Sequence, residues 1–87
     1  NPSPEAVEPL IYRLEQDWNG YVRKGVVWAL GNCHDRRALE PLIDALQTDI
    51  SAVRLWAASS LGQMGEVSPE AAQLALPPLA EALIHDP

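Results

Sequence analysis

Phenylalanine is absent from this 87-residue chain, and cysteine occurs once. A single cysteine, Cys33, rules out an intrachain disulfide. It fits a reducing compartment, and a cytoplasmic location is the expectation. No apolar run approaches the roughly 20 residues of a membrane span, and no signal peptide is visible. After Arg54 there is no lysine or arginine at all. Six basic residues face twelve acidic ones, for a net charge of −6. No basic stripe exists, which argues against nucleic acid as a partner and against anionic membrane surfaces. Two histidines, His34 and His85, fall short of a zinc ligand set. No glycine-rich phosphate loop is present. Cys33-His34-Asp35 has the residue types of a nucleophile, base and orienter. Three adjacent residues at a helix end do not converge on one centre, so Cys33 reads as a small core residue. No catalytic and no metal-binding residue is assigned.

What the chain does have is alanine, leucine and a repeat. A 47% hydrophobic content suits a folded domain. Val22-Arg23-Lys24-Gly25-Val26-Val27-Trp28-Ala29-Leu30-Gly31 returns 31 positions later as Val53-Arg54-Leu55-Trp56-Ala57-Ala58-Ser59-Ser60-Leu61-Gly62. Upstream, Glu8-Pro9-Leu10-Ile11 returns as Glu40-Pro41-Leu42-Ile43. Pro41-Leu42 returns once more as Pro78-Leu79, after about six added residues.

Apolar residues at 3- and 4-residue spacing predict helices throughout. Val7, Leu10, Ile11 and Leu14 mark the first, entered through Ser3-Pro4-Glu5, with a bend or late start at Pro9. Asp17-Trp18-Asn19-Gly20 predicts a turn. The second helix is expected over residues 21–32, with Val22, Val26, Val27, Leu30 and Cys33 on its apolar face. A third follows over residues 36–47 behind Asp35 as cap. A fourth is expected over residues 52–64, with Gly65 as its stop. Ser68-Pro69-Glu70 opens a fifth, with a bend at Pro77-Pro78. The chain begins at Asn1 and ends where a sixth helix is due, so it reads as a piece of a longer array.

The pattern Pro-Leu-x-x-x-Leu-x-x-Asp, a turn, then Val-Arg followed by Leu-Gly resembles a HEAT-like repeat over nearly the whole chain. Asp35 to Leu42 before the second hairpin is similar to the phycobilisome (PBS) lyase subtype. The resemblance implies an all-α, right-handed α-α superhelix: one domain of two full hairpins (residues 3–34 and 35–65) and a partial third (68–87). It implies a ladder between neighbouring repeats made by Asp17, Arg23, Asp49, Arg54 and Asp86. It also implies that second helices line a concave surface. On that surface fall Lys24, Trp28 and Asn32, and at the matching positions Leu55, Ser59 and Gln63. These six are the candidate protein-binding residues, with Trp28 the most prominent because Ser59 stands in its place in the second copy. Trp56, matched by Gly25, is expected to fill space across the repeat boundary, and Trp18 to cover the end of the stack.

The function expected is non-catalytic: a protein-protein interaction scaffold without cofactor, whose partner is another protein. Self-association through open repeat ends is a further expectation. The alternative is part of a bilin lyase or chaperone-like subunit handling a linear tetrapyrrole and its apoprotein.

Overall fold

The computed structural model describes residues 4–67 and 69–85. Five α-helices account for most of them: α1 (Val7–Gln16), α2 (Gly20–Cys33), α3 (Leu39–Thr48), α4 (Ser51–Val67) and α5 (Pro69–His85). Short 3-10 turns, Pro4–Ala6 and Arg36–Ala38, lead into α1 and α3. No strand occurs among the described residues. The helices lie in two layers. α1, α3 and α5 form one, α2 and α4 the other, and α1 packs across on α2, α3 on α4 and α4 on α5. The result is a slab of 34 × 31 × 16 Å.

The repeated proline explains the repeated entrance. Pro9 and Pro41 each sit third in their helix, where an N–H has no partner inside the helix anyway. Each α-helix therefore starts late, after a 3-10 turn, just upstream of its proline. α5 tolerates more. It runs on through Pro77 and Pro78, leaving the carbonyls of Gln73 and Leu74 without their helical donors. Ser3 and Ser68, which begin the two helix-opening Ser-Pro-Glu runs, lie outside the described residues.

Between the layers lies one apolar core. Val7 and Leu14 come from α1, and Val26, Val27 and Leu30 from α2. Leu39, Leu42, Ala45 and Leu46 come from α3, Val53, Ala57, Leu61 and Met64 from α4, and Ala75 from α5. Burial of this kind contributes about 25 cal/mol per Å² of apolar surface. It holds the two repeats as one body because residues from both fill the same space.

Two local features differ from expectation, and a third is new. Gly65 does not stop α4, which runs on to Val67, and no described glycine has a positive φ. Gly65 instead lies against Ala72 of α5, whose Cα would be 3.4 Å from an added Cβ. His34, not a glycine, takes the left-handed position at the end of α2, with φ 51°. Trp18 does not cover the end of the stack and is 88% exposed. The turn is extended there, and its flanking side chains Asp17 and Asn19 turn inward to accept N–H groups of Asn19 and Tyr21. Alternation along an extended backbone then points Trp18 outward.

Candidate functional site: the α2–α4 face

α2 and α4 pack closely because one position lets them. A Cβ on Gly31 would come within 2.7 Å of the Ser60 Cβ and 3.0 Å of its Cα. The Ser60 hydroxyl, buried at this crossing, donates to the Val27 carbonyl at 2.8 Å. This contact fixes the register in which the two second helices present their outer faces.

On that face the candidate residues fall into two strips at i, i+4, i+8 spacing: Lys24, Trp28, Asn32 and Leu55, Ser59, Gln63. Trp28 is 55% exposed and Leu55 69%. Ser59 and Gln63 are exposed, and Lys24 and Asn32 are half-buried. The strips meet at matching positions. The Gln63 side-chain amide donates to the Asn32 Oδ1 at 3.0 Å, and the Asn32 amide donates to the Trp28 carbonyl at 3.2 Å.

Beside them is a groove of about 260 Å³, lined by Tyr21, Lys24, Gly25, Trp28 and Trp56. Trp56 packs against the core with part of its ring and forms a wall with the rest. The Lys24 ammonium lies 5.2 Å from the Trp56 ring centroid, within cation–π range. Nothing stands within 4 Å of where a Gly25 Cβ would be. Gly25 thus opens the floor between the aromatic walls. Leu55 and Ser59 do not line the groove. Tyr21, Gly25 and Trp56 were not among the candidate binding residues. The signal for them was the Gly25/Trp56 mismatch between copies, which marks an unfilled space on one helix beside an aromatic on its neighbour.

The ladder positions lie at the turns. Arg23 forks onto Asp49 of the next repeat, from Nε to Oδ2 at 3.0 Å and from Nη2 to Oδ1 at 2.9 Å. Its Nη1 donates to the main-chain carbonyl of Asp17 at 2.8 Å. Within a repeat the contact is therefore arginine to carbonyl, and between repeats arginine to carboxylate. Arg54 repeats the first of these, donating from Nη1 to the Asp49 carbonyl at 2.9 Å. Asp86 lies outside the described residues. The Arg23 pKa is raised, first by its hydrogen bonds to Asp49. Burial pushes the Asp49 carboxyl up, but its hydrogen bonds to Arg23 and the Ile50 N–H and the nearby arginine charges outweigh that and hold it below its ordinary value.

A second concavity, about 730 Å³, opens between α1 and α3 above this ion pair. Glu15, Asp17, Glu40, Asp44 and Asp49 line it together with Arg23. No cluster of three or more potential ligands able to hold a metal occurs among the described residues. No described helix is long and apolar enough to cross a membrane. Cys33 is half-buried, and its thiol pKa is pushed up, first by burial and then by Asp35. That is the opposite of an activated nucleophile.

Helical hairpins that repeat in sequence, share one core and are tied turn to turn define a helical-repeat protein of the α-solenoid class. Each hairpin contributes a first helix to one layer and a second helix to the other. The family described as HEAT repeats matches residues 7–87, so the chain belongs to the HEAT repeat family. No curated protein sequence matches it.

Proposed function

We propose that the chain is a non-catalytic protein-binding segment whose contact surface is the outer face of α2 and α4. HEAT repeats in general mediate protein-protein interaction. The observation that carries the reading here is the aromatic groove. Trp28 and Tyr21 are large, exposed and set around an open floor, while Trp56 holds one wall rigid against the core. Aromatic anchors of this kind dominate binding energy at interfaces. A surface of unsupported aromatics would otherwise be a solubility cost.

The test is selection of binding segments from a displayed random-peptide library on the immobilised protein. Selected segments are then measured on Trp28→Ala/Leu55→Ala and on Tyr12→Ala, an exposed aromatic of α1. Loss of a central aromatic contact costs about 2 kcal/mol or more, roughly 30-fold in Kd. That loss is expected for the double variant and not for Tyr12→Ala. Equal binding by the double variant would remove the proposal.

A second reading follows the resemblance to the PBS lyase subtype: a chaperone-like or lyase role toward a linear tetrapyrrole. The groove favours it in kind, since aromatic walls stack on pyrroles and Lys24 would meet a propionate. Its size weighs against it. About 260 Å³ is below the ~300–1,000 Å³ typical of pockets that bury drug-sized ligands. Titration with a linear tetrapyrrole decides this: an absorbance shift with quenched tryptophan emission supports the reading, and unchanged spectra at high micromolar ligand remove it.

A further inference from the structure

We infer that the Trp28–Trp56 groove receives an apolar side chain of an extended peptide segment that carries a carboxylate next to that side chain. This rests on the α2–α4 face being the binding surface, and it names what that surface reads.

Three independent observations converge. The first is the floor of the groove. An open Gly25 between Trp28 and Trp56 leaves room for one apolar side chain and too little for a helix to settle its whole face.

The second is charge. The chain carries −6 overall, yet α2 holds Arg23 and Lys24 and no acidic residue. Arg23 is committed to Asp49. Lys24 makes no ion pair among the described residues, and its ammonium stands at the groove edge over Trp56. A carboxylate beside the anchor would complete that site. A lysine or arginine there would face a like charge in a partly desolvated groove, which is the arrangement interfaces use to reject partners. Of the carboxylates of the α1–α3 cleft, Glu15, Glu40 and Asp44 belong to the other helix layer, Asp49 is taken up by Arg23, and Asp17 accepts the Asn19 N–H. At physiological salt, interactions between exposed charges fade beyond about 8 Å, so Lys24 sets the local preference.

The third is the amide pair. Gln63 and Asn32 use one donor and one acceptor on each other. A side-chain amide has two N–H donors and two lone pairs on its oxygen. The pair therefore keeps both a donor and an acceptor for a partner. An extended main chain has free N–H and C=O groups to meet them, whereas a helix uses its own internally.

Fluorescein-labelled synthetic peptides that differ in one feature test this by anisotropy: leucine beside aspartate, leucine beside lysine, and alanine beside aspartate, in the same Gly/Ser background. The leucine–aspartate peptide is expected to bind at least tenfold tighter than either of the others. Lys24→Glu reverses the aspartate-over-lysine preference. Gly25→Leu fills the groove and abolishes binding while the far-UV circular dichroism holds and the melting temperature does not fall, since nothing crowds that position and leucine favours helix over glycine. Asn32→Ala/Gln63→Ala weakens both leucine peptides by the same factor. Equal binding of the aspartate and lysine peptides, or binding that survives Gly25→Leu, overturns the inference. If none of the three peptides binds but library-selected segments still lose binding on Trp28→Ala/Leu55→Ala, the inference falls and the surface stands.

Discussion

Two glycines at the same place in the repeat have opposite surroundings. Gly31 is pressed against Ser60, while Gly62 has open space where its Cβ would be. Alanine gains about 1 kcal/mol over glycine in a helix interior. At Gly62 that gain is free, so Gly62→Ala raises stability by about that amount. At Gly31 the new methyl meets backbone as well as side chain, and such overpacking costs about 1–3 kcal/mol. Gly31→Ala is therefore net destabilising, and thermal melts of the two variants should move in opposite directions. Equal shifts would contradict the observed crossing. His34 offers a smaller effect. A non-glycine residue in the left-handed region is strained by about 1–2 kcal/mol, partly offset by the chain entropy glycine adds to the unfolded state. His34→Gly should stabilise by about 0.5 kcal/mol in urea denaturation, and His34→Ala should not stabilise. Sequence alone does not separate Gly31 from Gly62, since each follows leucine at the same place in its repeat. It read Gly65 as a stop, because glycine's low helix propensity was weighed without knowing what α5 would bring against it.

Between elements, the two repeats are joined by core and by charge. Arg37 ties the two entrances, reaching Glu8 at 3.4 Å, the Pro4 carbonyl at 3.0 Å and Asp35 at 2.9 Å. It is exposed, so solvent screens these contacts and they are the weaker link. Arg23–Asp49 is largely shielded and forked, with 16% and 13% of the two side chains exposed. Charge-assisted pairs in that geometry are the stronger kind, and Arg23→Ala should cost about 2–3 kcal/mol. The carboxyl shift fixes the pH dependence. Asp49 binds its proton less readily folded than unfolded, so its contribution is complete above the unfolded pKa of about 3.9 and is lost as pH falls through the lower folded value. Urea unfolding between about pH 5 and pH 2 should show a steeper acid loss for the wild type than for Asp49→Asn. Parallel curves would mean that the fork contributes nothing. The resemblance to a HEAT-like repeat marked Arg23 and Asp49 as ladder residues. It did not say that Arg23 meets its home turn through the Asp17 carbonyl and keeps its fork for Asp49. That distinction needs the rise of one hairpin over the next, which no spacing along the chain contains.

For the whole molecule, the layering separates the residues that hold the fold from those proposed for recognition. Residues that join the repeats point between the layers or lie at the turns. Lys24, Trp28, Asn32, Leu55, Ser59 and Gln63 lie on the outer side of the second-helix layer and are not needed for the core. The five helices and the hairpin order were legible because the period of the sequence sets both. The two strips were legible because an i, i+4 pattern is a face. The groove was not. Its walls come from unequal positions of neighbouring helices, Trp28 and Trp56, and their juxtaposition depends on the register fixed by Gly31 against Ser60. The three tryptophans now provide a built-in test of the account. Trp28 and Trp56 line the groove, and Trp18 stands in the α1–α2 turn. In a ¹⁵N NMR titration with a library-selected peptide, the indole N–H signals of Trp28 and Trp56 should move with the Asn32 and Gln63 side-chain amides, while that of Trp18 stays. Shifts centred instead on Glu15, Glu40 and Asp44 of the α1–α3 cleft, with Trp28 and Trp56 unmoved, would contradict it.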